Sequence, residues 1–123
     1  MQPIPAERIA IVEDHELVRR SLASAARTWG GEVFEAGSVR DGLDQLELHP
    51  DLVMVDVMLP DGNGRTVVEK AVTMRPAPAV IAMSGHASAE EAFELARLGA
   101  RRYLPKPISL EDLAAAFEAT LSD

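Results

Sequence analysis

Five polar side chains stand where apolar runs stop. Glu13-Asp14 follows Ile9-Ala10-Ile11-Val12, and Asp56 follows Leu52-Val53-Met54-Val55. Ser84 follows Ala79-Val80-Ile81-Ala82-Met83, and Lys106-Pro107 comes just after Arg102-Tyr103-Leu104. An unpaired buried carboxylate is costly, so Asp56 at the end of such a run needs an opening, a cation or both. Three carboxylates brought together would raise one another's pKa unless a cation neutralised them. Oxygen donors without a His/Cys cluster favour a hard ion, Mg2+ being the natural choice, with water and a phosphate oxygen completing its shell. Lys106 offers a compact positive charge for phosphate oxygens, and Ser84 offers a hydroxyl donor. A metal, a fixed cation and a hydroxyl around one carboxylate are equipment for phosphoryl transfer, where positioning and charge neutralisation do most of the catalysis. No neighbouring group would activate water strongly, so Asp56 is the better nucleophile.

These groups lie far apart in the chain, and only a particular fold gathers them. Apolar runs alternate with segments of helical period. Arg8–Val12 reads as a strand, followed by a helix from about His15 to Thr28 with Leu17, Leu22, Ala25 and Ala26 as its buried stripe. Gly30-Gly31 stops that helix, and Glu32–Ala36 alternates as a short strand. Ser38 opens a helix through about Leu48, with Asp41 as capping partner, and His49-Pro50 ends it. Leu52–Val55 lacks alternation, as a strand covered on both faces does. Leu59-Pro60-Asp61-Gly62 fits a turn with proline at its second position, which gives Asp61 a structural reading. A helix from about Gly64 to Met74 follows, closed by Arg75-Pro76, then the strand Ala79–Met83. Ser88 with Glu91 caps a helix to Leu98 that Gly99 terminates. Arg102–Leu104 is a fifth strand, and Ser109 with Asp112 caps the last helix.

Five strand–helix units with short connections imply an α/β fold: a doubly wound, five-stranded parallel sheet with helices on both faces. Such sheets carry their functional groups beyond the C-terminal ends of the strands, where all five polar residues fall.

Composition narrows the function classes. The 123 residues fit a single domain spanning 1–123, and a charged fraction of 26% with 47% hydrophobic residues excludes a disordered chain. No cysteine is present, which removes disulfides, thiol nucleophiles and zinc–thiolate sites. The net charge of −8 argues against direct nucleic-acid binding, since only Arg19-Arg20 and Arg101-Arg102 form basic pairs. No apolar run is long enough to cross a bilayer, and Pro3 and Pro5 do not fit a secretory leader, so a cytoplasmic location without membrane association is expected.

The set Glu13-Asp14, Asp56, Ser84 and Lys106-Pro107 resembles the receiver domain of two-component response regulators over essentially the whole chain. Each motif alone is weak; together at the right strand ends they are specific. The resemblance implies the flavodoxin-like strand order 2-1-3-4-5. It implies that Asp56 accepts a phosphoryl group from a histidine kinase or histidine phosphotransfer protein. Asp14, Asp56 and the Met58 carbonyl would hold Mg2+, with Glu13 acting largely through metal-bound water. Lys106 would pair with Asp56 or the phosphoryl group, and Ser84 would bond a phosphoryl oxygen. Tyr103 matches the aromatic switch, and Lys106-Pro107 the cis-proline bond. Met58, Gly85 and His86 fall at positions that tune the site. Glu13 stands where many members have aspartate, and Gly85 leaves little side chain beside the phosphoryl group.

Such a domain is a phosphorylation-driven switch rather than a conventional enzyme, although it promotes its own phosphorylation and dephosphorylation. Its output is expected on the face of the fourth strand, fourth helix, fifth strand and fifth helix, toward a protein partner or a homodimer. The chain reads as a stand-alone receiver; as a piece of a longer regulator, transcriptional output returns. A haloacid-dehalogenase-type phosphohydrolase needs a second aspartate where Met58 stands. A phosphate-independent binding module would not need the full acid–hydroxyl–lysine set, and a flavin site would lack its phosphate loop. Structural alternatives remain for Ser84 as a helix cap, for Tyr103 as an ordinary strand residue and for Trp29 as packing or interface. His15 and His49 read as helix-end residues, and Glu90, Glu91 and Glu94 as a solvated helix face.

Overall fold

The computed structural model describes residues 8–86 and 88–122. Pro3 and Pro5, and the ends of the expected 1–123 domain, lie outside the described residues. The main strands are β1 (Arg8–Val12), β2 (Glu32–Ala36), β3 (Leu52–Asp56), β4 (Ala79–Ser84) and β5 (Arg102–Pro105). The helices are α1 (Glu16–Thr28), α2 (Val39–Leu46), α3 (Arg65–Ala71), α4 (Ala89–Leu98) and α5 (Leu110–Ser122). These five strands form one sheet with every pairing parallel, in the order β2-β1-β3-β4-β5. This is the doubly wound architecture expected from the strand–helix alternation.

The sheet's side-chain alternation divides the core in two. Ile9, Ile11, Leu52, Met54, Ile81 and Met83 face α1 and α5, meeting Leu22, Ala26, Leu113 and Phe117. Ala10, Val12, Val53, Val55, Val80 and Ala82 face the other layer, with Leu46, Val67, Val68 and Leu95. Both faces are covered, which is why the central strands carry no polar alternation. The Trp29 and Phe117 rings meet nearly perpendicular, with centroids 5.4 Å apart.

Three local expectations are corrected. Leu17 is 73% exposed and does not belong to the buried stripe of α1. The stripe runs through Val18, Leu22, Ala26 and Trp29, whereas Leu17 stands about 140° from Leu22 around the helix. α2 stops at Leu46 rather than Leu48, because Leu48 and His49 bond back three residues, to Gln45 and Leu46, and His49 adopts φ 53°. α3 likewise stops at Ala71, not Met74, with Thr73 and Met74 bonding back to Lys70 and Ala71.

The turn at 59–62 belongs to a small antiparallel ribbon, Met58–Leu59 with Gly62–Asn63. Asp61 at its tip caps α2 from a distance. One carboxylate oxygen accepts from the Val39 N–H at 2.7 Å and the other from Arg40 at 3.0 Å, while Ser38 Oγ takes the Asp41 N–H. Those hydrogen bonds from Val39 and Arg40 hold the Asp61 carboxyl below the ordinary value of 3.8. Its stabilising contribution is therefore fully present above that value and is lost as pH falls through the lower folded-state pKa. Asp61→Ala is expected to lower the urea midpoint at pH 7, with the gap from wild type narrowing in acid; a gap independent of pH would contradict this cap.

Candidate functional site

The strands deliver the polar groups on neighbouring rungs. Val12 pairs with Val55, Val55 with Ala82, and Ala82 with Tyr103. One rung on, Asp56 pairs with Met83 and Met83 with Leu104, and Ser84 then pairs with Pro105. Glu13, Asp56, Ser84 and Lys106 consequently leave the sheet together at its C-terminal edge.

Asp56 is 4% exposed and both of its carboxylate oxygens are engaged. Oδ1 accepts from the Met58 N–H at 2.9 Å, and Oδ2 from Lys106 Nζ at 2.6 Å. Lys106 Nζ also pairs with Glu13 Oε1, whose other oxygen accepts from the His15 N–H at 3.0 Å. Glu13 is fully buried, and burial, reinforced by the Asp56 charge, holds its pKa above the ordinary carboxylate range despite the hydrogen bonds from Lys106 and His15. Burial alone would depress Lys106, but its hydrogen bonds to Asp56 and Glu13 and their charges outweigh it and raise its pKa. The lysine is thus fixed as a cation.

Glu13, Asp14 and Asp56 each present a carboxylate oxygen, all within 4.8 Å of one another. The donors are all oxygen, and Asp14 is exposed where an ion would enter. Three acids against one lysine leave negative charge that a divalent cation would offset. The residues present therefore fit a hard divalent cation.

The remaining expected residues surround this cluster. Ser84 is fully buried, its Oγ accepting from the His86 N–H at 3.0 Å, and the cap of α4 is Ser88 instead. Lys106–Pro107 is a cis peptide bond, as is Arg75–Pro76. His15 caps α1, its Nδ1 accepting from the Val18 N–H. The mouth of the site is open: Met58 is 55% exposed, His86 is exposed, and a Cβ added to Gly85 would meet nothing within 4 Å.

Two supporting residues escaped the sequence reading. Arg19 donates from Nη1 to the Glu13 carbonyl at 3.1 Å and from Nε to Glu35 at 3.3 Å, bracing the loop that carries the acid pair. In the sequence nothing separates it from Arg20, which is exposed and pairs with Glu16 one turn back. Gly64 lies against the main chain of the central acid: a Cβ there would overlap the Asp56 carbonyl oxygen and stand 2.9 Å from its carbon. Its φ of −61° is open to any residue, so close approach is what requires glycine. Glu91 is a correction to the solvated-face reading, because it is half-buried and accepts the Tyr103 hydroxyl at 2.5 Å.

A parallel five-stranded sheet with acids, a hydroxyl and a lysine at one edge defines a class of phosphoryl-accepting signalling domains. Residues 9–118 match the family model described as the response regulator receiver domain. The chain belongs to that family, whose members are phosphorylation-activated switches rather than conventional enzymes. It is 38% identical over 118 residues to the transcriptional regulatory protein PdtaR of Mycobacterium tuberculosis, covering 94% of this chain and 57% of that protein. It superimposes on a CheY-like response regulator receiver domain protein from Methanospirillum hungatei with a TM-score of 0.88, at 32% identity and 94% coverage of each chain. The beryllofluoride-activated NtrC4 receiver domain dimer gives a TM-score of 0.86 at 27% identity, covering 94% of this chain and 96% of that one. The chain spans about half the length of PdtaR and 23% of the regulatory protein AtoC of Escherichia coli. Among the described residues no helix is long and apolar enough to cross a membrane.

Gly64→Ala is expected to lower unfolding free energy by about 1–3 kcal/mol, because rigid backbone has to move. Gly85→Ala, with open space at its Cβ, should change it by less than about 0.5 kcal/mol. Equal effects in urea melts of the two variants would contradict the close approach.

Proposed function

We propose that Asp56 is the phosphoryl acceptor of this receiver, charged by a histidine kinase or histidine phosphotransfer protein. The observation that carries the reading is the Asp56 carboxylate held at 2.6 Å from Lys106 Nζ, with ligand atoms of Glu13 and Asp14 within 4.8 Å. One Asp56 oxygen attacks phosphorus, the bond from phosphorus to the donor breaks, and the donor leaves with its electron pair. An acyl phosphate results, and Lys106 follows the charge outward from the carboxylate to the phosphoryl oxygens. Ser84 donates its hydroxyl to another of those oxygens. Asp14, Asp56 and the Met58 carbonyl would hold Mg2+, with Glu13 acting through water, and the ion would supply neutralisation of the transferred group's charge. Met58, Gly85 and His86 govern how readily water reaches the phosphoryl group.

The output reading is a protein partner or a second copy engaged through β4, α4, β5 and α5, with Ser84 and Tyr103 as the switch. Support comes from Phe93 on α4, a large apolar side chain left 64% exposed. A second reading, a receiver within a longer DNA-binding regulator, is favoured by the lengths of the relatives. The chain covers only 24% of the DNA-binding transcriptional regulator NtrC of Azospirillum brasilense.

Incubation with acetyl phosphate and Mg2+ is expected to add one phosphoryl group to the intact mass. Asp56→Asn and chelation by EDTA should each remove at least nine-tenths of the adduct. An adduct that survives in Asp56→Asn would overturn the assignment.

A further inference from the structure

Tyr103 is the only tyrosine in the chain, and its hydroxyl is held by a carboxylate of α4. It sits on β5 opposite Ala82 of β4, and Ser84 is two residues further along the same face of β4. The Tyr103 hydroxyl donates to Glu91 Oε1, in the first turn of α4, at 2.5 Å. That register sets Ser84 on the side of the sheet that the phenol occupies. The Glu91 main chain is anchored at the start of α4, its N–H donating to Ser88 Oγ at 3.0 Å. The neighbouring acid Glu94 is turned toward Arg65 and Arg97.

Ser84 has one proton to give, and its oxygen already accepts from the His86 N–H. Donated to Tyr103, that proton is withheld from a phosphoryl oxygen on Asp56. A phenol that donates to a carboxylate becomes a stronger acceptor, because hydrogen bonds in a chain polarise one another. Glu91 thus makes the phenol it holds a better competitor with the phosphoryl group for the Ser84 proton.

We propose that Glu91 is a positioning residue of the switch: by accepting the Tyr103 proton it fastens the phenol beside Ser84 and restrains phosphorylation of Asp56. The inference rests on the reading of Asp56 and Ser84 given above. It places the ring near Ser84 before phosphorylation, so the event that reaches α4 is the transfer of the serine's proton rather than a long swing of the ring. The Tyr103 pKa agrees in direction, raised by burial and by Glu91 while Ser84 and Ser88 oppose the shift.

Two measurements test it. Ultraviolet titration of the single phenol, without any phosphodonor, should give a midpoint above the ordinary value of about 10, lowered in Glu91→Gln. With acetyl phosphate and Mg2+, Glu91→Ala should gain its phosphoryl adduct roughly two- to tenfold faster than wild type, the range one hydrogen bond commands. Glu91→Gln should fall between them, and the gain should vanish in a Tyr103→Phe background. An unchanged phenol midpoint in Glu91→Gln, no acceleration in Glu91→Ala, or an acceleration that persists without the phenol would each overturn the proposal. Failure of the Asp56 reading would show separately, as an adduct on Asp56→Asn.

Discussion

The structure turns on a single ammonium group. Lys106 Nζ lies between two buried carboxylates, pairing with Glu13 and standing 2.6 Å from Asp56. Without it, two acids at the end of an apolar sheet would be desolvated and mutually repelling. With it, they remain in place and carry excess negative charge toward the exposed Asp14. That imbalance suits the edge to a hard divalent cation. In the proposed function the same lysine would serve both states, following negative charge from the carboxylate to a phosphoryl oxygen.

Everything beneath this edge serves to hold it still. Burial on both faces fixes the register of β1, β3, β4 and β5, and the register fixes which side chains reach the edge together. Gly64 lets the start of α3 press against the Asp56 main chain, and Arg19 ties the Glu13 carbonyl to α1 and β2. The rigid side of the site is therefore built from α1, β1 and β3. The Tyr103–Glu91 bond lies on the other side, where α4 and β5 meet.

Most of the fold was legible in the sequence because its signals are local. Apolar runs without alternation marked the central strands, and Ser38, Ser88 and Gly99 marked helix ends by chemistry that acts within one turn. The principal acids and Lys106 were legible for the same reason, each standing where an apolar run ends. What escaped depends on contacts between distant segments. Asp61 looked like a turn residue, yet it caps a helix 22 residues away. Glu91 looked like one of several surface acids, and only the β5 register brings a phenol to it. Leu17 shows the opposite error: an apolar residue at plausible spacing was assigned to the core although it lies on the wrong side of α1. Helix ends that tighten into three-residue bonds were read as longer helices, because their composition does not change where the geometry does.

Lys106 and Asp56 should behave energetically as one unit. A double-mutant cycle measures this directly, with urea unfolding of wild type, Lys106→Met, Asp56→Asn and the double variant in chelator. Lys106→Met should be clearly destabilising alone and much less so beside Asp56→Asn. The coupling should be about 1 kcal/mol or more, below the cost of breaking a fully buried pair because Lys106 retains some solvent contact. Additive effects of the two substitutions would contradict it.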